Sequence, residues 1–276
     1  MTDHQKWVGR QETASDVCAL PLVRRLAALL DGDPASFRTG DALPPGWHMI
    51  LFTPDAPQSA LGPDGHPHTG SFLPDLPLPR RMLGGRRTQF LAPIRIGAEV
   101  RRVSEITSVE DKQGRSGRLA KVTVRHTILT DEPAVVEEQD ILYREAAKPG
   151  AAAPEATPEP PRPAPLHSRT LTPDPALLFR YSAVTFNAHR IHYDSDYATG
   201  QEGYPGLIVN GGLTGLLLLE LFKQAAGRPP RETSVRNRRT LICGRPLQLC
   251  ANPGDDGWSL WVEDEAGRVA LEASMA

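Results

Sequence analysis

The sequence predicts an α+β protein made of two tandem units, each with a helix and an antiparallel sheet. Strand-like runs fall into two groups, at residues 86–143 and 240–274, and a strongly apolar helix precedes the second group. A proline-rich stretch separates the two halves. With 276 residues, the chain is long enough for two modest domains that fold without disulfides or a structural metal.

Residues 4–31 have a helical pattern. Their apolar side chains recur at steps of three and four residues: Val17, Leu20, Val23, Leu26 and Leu30. Asp31-Gly-Asp-Pro34 ends the run, and Pro21 is expected to kink or split the helix.

Residues 39–79 are rich in proline, glycine and aspartate, which predicts a long loop. Within it, Trp47-His-Met-Ile-Leu-Phe52 is expected to form one strand or a short helix. A loop of this length in a compact domain is usually functional.

Alternating apolar and β-branched residues follow, and they predict antiparallel strands. The runs are residues 86–97, 100–109, 119–129 and 135–143, with Asp111-Lys-Gln-Gly114 as a hairpin turn. The first predicted domain therefore covers residues 1–146.

Residues 147–165 contain seven prolines among alanines and glutamates, which is typical of an extended linker. The second predicted domain, residues 166–276, contains the apolar helix Leu213–Phe222 and strands at 240–250, 258–263 and 269–274. A weak internal repeat relates residues 86–96 to residues 238–249, so the two domains read as copies of one α+β unit.

The second domain also holds the densest chemistry of the chain, in Thr185-Phe-Asn-Ala-His-Arg-Ile-His-Tyr-Asp194. Gly203-Tyr-Pro-Gly-Leu-Ile-Val-Asn-Gly-Gly212 follows and leads into the apolar helix. A buried helix start presents backbone N–H groups without internal partners, which suits a carbonyl oxygen that gains negative charge. The spacing therefore pairs an acid/base group with an oxyanion site.

These two stretches resemble the active-site segment of the MaoC group of hydratases, and most closely its type 2 hydroxyacyl-thioester dehydratases. That subgroup includes itaconyl-CoA and mesaconyl-C4-CoA hydratases. The resemblance implies a double hotdog fold, in which each unit is a long helix wrapped by an antiparallel sheet. It also implies hydration or dehydration of an acyl-CoA. Only the second unit contains the motif. The first unit is therefore expected to be non-catalytic and to shape the substrate pocket.

Aligned on His192, the sequence departs from the general MaoC pattern at three positions. Asn187 stands in place of the catalytic aspartate, His189 in place of asparagine, and Arg190 in place of proline. An amide cannot act as a base, so Asn187 is expected to hold water or substrate. Either His192 alone transfers the protons or a carboxylate assists, and Glu202 is the nearest candidate.

The expected catalytic residues are therefore His192, Asn187 and Glu202, because imidazole can take and return a proton near neutral pH. Substrate binding is assigned to Gly211 and Gly212 at the helix start. It is also assigned to four residues in stretches that match the subgroup: His189, Arg190, Tyr193 and Arg81. Arginine forks fit both CoA phosphates and a substrate carboxylate, and Arg81 and Arg190 are the first candidates. Asp194 is expected to cap a short helix at residues 195–199.

Composition limits the classes of binding partner that we expect. A net charge of −2 gives no reason to expect nucleic acid or an anionic membrane, and no apolar run reaches the length of a membrane span. Cys18, Cys243 and Cys250 lack metal-ligand spacing and suit reduced thiols in the cytoplasm. We expect an acyl-CoA substrate, no metal, no cofactor beyond the substrate's own coenzyme A, and a homodimer or larger homo-oligomer.

The fold alone leaves other activities open. The preferred substrate is a short and carboxylated enoyl-CoA of the itaconyl or mesaconyl type. The alternatives are a fatty-acyl 3-hydroxyacyl-thioester dehydratase, a hotdog thioesterase, and a non-catalytic module that binds acyl thioesters.

Overall fold

The computed structural model describes residues 3–68, 70, 72–114, 117–145 and 162–276. The first half contains β1 (Gln11–Val17), α1 (Leu20–Leu29), β2 (Arg80–Phe90), β3 (Glu99–Gly114), β4 (Gly117–Leu129) and β5 (Pro133–Arg144). The second half contains β6 (His167–Leu171), α2 (Pro175–Val184), α3 (Gly211–Ala226), β7 (Glu232–Asn237), β8 (Leu247–Gly254), β9 (Gly257–Glu263) and β10 (Val269–Met275).

All the strands join one antiparallel sheet in the order β1-β3-β4-β5-β2-β7-β10-β9-β8-β6. Equivalent strands of the two halves occur in reverse order, so the sheet has an approximate two-fold axis at the β2–β7 pair. Here Gly85 lies opposite Arg236, and Gln89 lies opposite Glu232. The predicted α+β duplication is confirmed, although the sequence repeat is offset, because Arg86 lies inside β2 and Arg238 follows β7.

Helix α3 fills the concave face of the second half. Its side chains are buried almost all round, and Leu213, Leu218 and Phe222 have no exposed surface. They share one hydrophobic cluster with inward-facing residues of the sheet: Leu249, Ala251, Leu260, Val262 and Leu271. The apolar composition of this helix therefore places its first turn inside the protein.

The first half has no helix of comparable length in the described ranges. Instead, its loop packs on α3, where Trp47 Nε1 donates a hydrogen bond to Glu220 Oε1 at 3.0 Å. Trp47–Ile50 forms a 3₁₀ helix. A short helix was one of the two conformations expected for this segment. Gly46 has a φ of +85°, and a Cβ there would collide with Leu219. The first-half loop thus packs on the helix of the second half, so both halves share α3.

The N-terminal prediction was wrong for residues 11–17. These polar residues form β1, an edge strand that pairs with β3 from Gln11 opposite Glu105 to Val17 opposite Glu99. The helix begins at Leu20, and Pro21 lies in its first turn without a kink. A first-turn N–H has no intrahelical acceptor, so proline loses nothing there.

Several strand boundaries also differ from the prediction. The strand predicted at residues 86–97 runs from Arg80 to Phe90. β3 continues through Asp111 to Gly114, which pairs with Gly117, so the predicted turn at residues 111–114 is wrong. The predicted strand at residues 240–250 begins only at Leu247. Residues 147–161 of the predicted linker lie outside the described residues, and the domain boundary stays a prediction.

Candidate active site

The motif forms the connection between α2 and α3. Asp174 caps α2 by accepting a hydrogen bond from the Leu177 N–H at 2.7 Å, and the helix ends at Val184. Phe186 then adopts a positive φ of 48°, which is uncommon for an aromatic residue. The Asn187 N–H donates to Ser182 O at 2.8 Å, so the chain reverses tightly. This reversal carries the histidines toward the start of α3.

His192 has the geometry of a general base. Its ring is 8 % exposed, and Nδ1 lies 2.8 Å from the backbone carbonyl of Ile208. A carbonyl oxygen only accepts hydrogen bonds, so the proton of the neutral ring sits on Nδ1. Nε2 is therefore the nitrogen with a free lone pair. The ring lines a large cleft together with Asn210 and Gly211.

The start of α3 has the geometry that an oxyanion site needs. The first intrahelical hydrogen bond runs from Thr214 N–H to Asn210 O, so the N–H groups of residues 211–213 have no acceptor within the helix. Asn210 is 2 % exposed, and neither amide atom of its side chain has a hydrogen-bond partner among the described residues. Buried unpaired amides are costly, so this amide is a candidate to bind a ligand at the helix start. Sequence reasoning gave Asn210 no role, although it lies directly before the predicted glycines.

The long loop of the first half completes the site. Its Asp64 carbonyl accepts a hydrogen bond from the Arg190 N–H at 2.9 Å. Gly65 has a φ of +88°, and any Cβ there would collide with the Ala188 carbonyl. The His66 ring consequently lies 4.2 Å from the His189 ring, which in turn lies 5.4 Å from the His192 ring.

Asp64 faces this row of three imidazoles. Its Oδ2 lies 2.9 Å from His66 Nδ1. Burial acts to raise the pKa of Asp64, but hydrogen bonds from the His66 ring and backbone outweigh it and hold the pKa well below its usual range. Sequence reasoning missed both residues, and the only available signal was the Pro-Asp-Gly-His run inside a loop already expected to be functional.

Asp64, His66 and His189 also present ligand atoms within 4.8 Å of one another, a group that could hold a metal ion. Three protein ligands are the number found in catalytic zinc sites. Asp64 and His66 already satisfy each other by a hydrogen bond. The expected absence of a metal stays a prediction.

Two predicted site residues have contacts that favour structural roles. Asn187 Oδ1 accepts the His189 N–H at 3.0 Å and so shapes the turn. Arg190 donates to Asp194 Oδ2 at 2.7 Å and to Pro63 O at 2.9 Å, and its guanidinium stacks on Tyr197 at 4.2 Å. Arg190 therefore fastens the first-half loop to the motif.

The remaining predicted residues lie around the same cleft. Glu202 accepts from Tyr197 OH at 3.3 Å and lies 3.6 Å from Arg80 Nε, so its carboxylate is already engaged. Tyr193 is 50 % exposed and donates to Ala188 O. Arg81 lines the cleft. Asp194 accepts the Tyr197 N–H at 2.9 Å, and this confirms the expected helix cap.

Burial lowers the pKa of His192 to about 4, against the opposing effect of its hydrogen bond to Ile208. Burial, with the charges of His66 and His192, lowers the pKa of His189 to about 3. Both rings are therefore unprotonated at neutral pH. His192 can accept a proton there, as a base must.

These depressed values predict acid destabilisation. The unfolded chain binds protons at histidine near pH 6.5, whereas folded His192 binds one only near pH 4, so stability should fall as pH drops from about 6.5 toward 4. The loss attributable to His192 is on the order of 3 kcal/mol. Urea unfolding at pH 7.5, 6, 5 and 4.5 measures it, and His192→Gln should flatten the dependence. An unchanged slope in that variant would contradict the assignment.

Comparison with known proteins agrees with this geometry. Residues 46–243 match the family model of hydroxyacyl-thioester dehydratase type 2. The chain is 46 % identical to mesaconyl-C(4)-CoA hydratase of Chloroflexus aurantiacus, over 99 % of this chain and 97 % of that protein.

The chain belongs to the type 2 hydroxyacyl-thioester dehydratase family.

Members in eukaryotes are more distant from it. The mitochondrial hydroxyacyl-thioester dehydratase type 2 of Schizosaccharomyces pombe is 28 % identical over 87 % of this chain and 89 % of its own length. A solved Mycobacterium tuberculosis protein described as a double hotdog superposes with a TM-score of 0.63 at 16 % identity, over 97 % of this chain and 95 % of its own. The predicted double hotdog fold is thereby confirmed, and so is a MaoC-like hydratase or dehydratase. The described helices include none that could span a membrane.

The cleft of this type 2 dehydratase has a volume of about 3440 Å³. Sites for small ligands commonly measure about 300–1,000 Å³. The larger space suits a substrate with a bulky carrier, and coenzyme A is such a carrier. Its walls come from both halves. The expectation that the first half shapes the substrate pocket stays a prediction.

Proposed function

We propose that the enzyme hydrates a short, carboxylated enoyl-CoA, of which mesaconyl-C4-CoA is the first candidate. The observation that carries the reaction is the tautomer of His192, whose free Nε2 lines the same cleft as the uncapped start of α3. The identity shared with the Chloroflexus hydratase over nearly the whole chain supports the substrate class.

In the proposed mechanism, His192 Nε2 removes a proton from water while the water oxygen bonds to the β-carbon. The electron pair of the double bond moves through the α-carbon to the thioester oxygen. N–H groups of Gly211 and Gly212 stabilise that oxygen as its charge grows. The enolate then collapses, the carbonyl forms again, and the α-carbon takes the proton from the His192 imidazolium.

This sequence needs one proton carrier, which fits the asparagine at position 187. Asn187 holds the turn that aims His189 and His192, and Asn210 offers an amide to the substrate at the helix start. We propose that His189, Tyr193 and Arg81 line the acyl and thioester part of the cleft. Glu202, bound to Tyr197 and Arg80, supports the wall.

Turnover of defined thioesters tests the function. Purified enzyme should remove the enoyl-thioester absorbance of mesaconyl-C4-CoA and itaconyl-CoA faster than that of crotonyl-CoA, and a hydroxyacyl-CoA should accumulate. The matched negative control is His192→Gln. Release of free coenzyme A without hydration would instead indicate a thioesterase.

A second candidate activity is the dehydration of a fatty 3-hydroxyacyl thioester. The S. pombe relative is named a hydroxyacyl-thioester dehydratase. Faster turnover of a long 3-hydroxyacyl thioester than of the carboxylated substrates would favour that activity. Binding without turnover of any thioester would favour a non-catalytic module.

We further propose that the enzyme works in the cytoplasm, without a cofactor other than its substrate's coenzyme A, as a homodimer or larger homo-oligomer. Cys18, Cys243 and Cys250 are free thiols, and Cys18 and Cys250 are fully buried. Light scattering coupled to size exclusion measures the oligomer.

A further inference from the structure

The concave face of the first half differs in chemistry from that of the second. In the second half this face is apolar and packs on α3. In the first half no long helix among the described residues covers this face, and several of the side chains that point to it are polar. They are Arg86 and Thr88 on β2, Glu137 and Gln139 on β5, His126 on β4, and Ser104 on β3.

Arg86 stands out in this polar face because its charge is poorly matched. Its nearest carboxylate contact is Nε to Glu137 Oε1 at 3.8 Å, and its side chain is 25 % exposed. The Nε atom is buried without a hydrogen-bond partner among the described residues. Charge-assisted hydrogen bonds are normally 2.7–2.9 Å long.

Its neighbour Arg87 shows what a satisfied arginine looks like on the same strand. Arg87 points to the opposite face and makes a bidentate pair with Asp140 at 2.8 and 3.1 Å. It also donates to Glu138 at 3.2 Å. Both arginines lie on β2, so the difference in their ion pairing comes from the face of the sheet on which each side chain lies.

Glu137 is not free to turn toward Arg86. One of its oxygens accepts from Gln139 at 2.6 Å, while the other lies 3.1 Å from His48 Nε2 and accepts from Thr88 at 3.2 Å. Burial would raise the pKa of Glu137, but Arg86 and His48 hold it well below its usual value. The carboxylate is therefore ionised, and its hydrogen bonds go to His48, Thr88 and Gln139 and not to Arg86.

Arg86 is also close to the catalytic end of the cleft. Tyr181 lies at this end, because a Cβ on Gly212 would collide with its phenol oxygen. Arg86, Tyr181 and Gly212 all line the cleft. Arg86 lies opposite Val235 in the β2–β7 pair, and Val235 lies beside Gly215, one turn along α3 from Gly212. The pairing of β2 with β7 therefore brings Arg86 near the first turns of α3.

We propose that Arg86 binds the free carboxylate of a dicarboxylic acyl-CoA and so sets the enzyme's preference for carboxylated substrates. This inference rests on the proposed function. It assigns the carboxylate to Arg86 in place of Arg190, whose guanidinium is held by Asp194 and Pro63. Coenzyme A is common to all substrates, so contacts to its phosphates cannot produce such a preference.

The test compares kcat/KM for mesaconyl-C4-CoA and crotonyl-CoA in wild type, Arg86→Met and the matched control Arg87→Met. For Arg86→Met we expect the value for mesaconyl-C4-CoA to fall roughly 10- to 100-fold, the size of one lost charged hydrogen bond, with crotonyl-CoA little changed. Arg87→Met should leave the ratio of the two values at its wild-type level. The inhibition constants of succinyl-CoA and butyryl-CoA give the same comparison without turnover.

Removing Arg86 alone could destabilise the fold by leaving Glu137 without a counter-charge. The double variant Arg86→Met/Glu137→Gln removes both charges and should show the same selective loss. Equal losses for both substrates, or a selective loss in Arg81→Met but not in Arg86→Met, would overturn the inference. The proposed function fails separately, if the wild-type enzyme does not hydrate mesaconyl-C4-CoA at all.

Discussion

Replacing His192 with alanine or glutamine should lower kcat by about 10²- to 10⁴-fold, the usual cost of losing a general acid/base group. The reason is that Nε2 of His192 is the free imidazole nitrogen beside the uncapped helix start. Steady-state hydration of mesaconyl-C4-CoA, followed by loss of enoyl absorbance, measures the effect. Circular dichroism and thermal unfolding show whether the variant folds.

His167→Gln is the matched control, because His167 is an exposed histidine on β6. It should retain the wild-type rate. If His192→Gln folds and keeps a rate within a few-fold of wild type, the proton transfer belongs to another residue. His66, paired with Asp64 in the first half, would then be the next histidine to test.

Gly212→Ala should damage both stability and activity. A Cβ at this position would collide with the phenol oxygen of Tyr181, and Tyr181 is buried at 4 % exposure. Overpacking of this kind typically costs about 1–3 kcal/mol. Displacement of the helix start should also weaken the oxyanion site, with a loss on the order of 10² in kcat. Urea unfolding and hydration kinetics measure the two effects.

Gly215→Ala, one turn further along α3, is the control. Its new Cβ would meet only Val235 at 3.9 Å, an ordinary contact, and alanine is favoured over glycine in a helix by about 1 kcal/mol. Adding Tyr181→Phe to Gly212→Ala removes the closest atom and should restore part of the stability. Equal behaviour of the two alanine variants would show that the position of Gly212 tolerates a side chain.

The sequence brings His192 and the start of α3 together because they are close along the chain, and in the structure both line one cleft. His192 and the start of α3 fall within about twenty residues, and their spacing alone pairs a base with an oxyanion site. The antiparallel strands are equally local, since alternation of apolar residues reports a half-buried sheet. The position of α3 inside the protein follows from its apolar composition.

The rest of the site depends on contacts between distant parts of the chain. Asp64 and His66 reach His189 from more than a hundred residues away. The Pro-Asp-Gly run indicates a turn at Gly65, but it does not indicate that this turn packs against Ala188. Arg190 looks like a substrate cation until its pairing with Pro63 is seen. Arg86 and Arg87 are adjacent arginines that the sequence cannot distinguish. They differ in the face of β2 from which each side chain projects.

β1 was missed for a related reason. It is a polar edge strand that gains its stability from backbone pairing with β3 and buries little. Periodicity of apolar residues cannot detect such a strand, because the strand depends on pairing with β3 and not on an apolar pattern of its own. The helical spacing that is present belongs to α1, which begins only at Leu20.

The shared helix α3 has a consequence for how the protein unfolds. Its residues belong to one apolar cluster with Val23 and Leu26 of α1 and with Trp47, and Glu220 accepts a hydrogen bond from that tryptophan. Loss of α3 from the second half would therefore also remove apolar packing from α1 and from the first-half loop. The two halves should therefore melt as one cooperative unit, with equal calorimetric and van't Hoff enthalpies, despite their duplicated architecture.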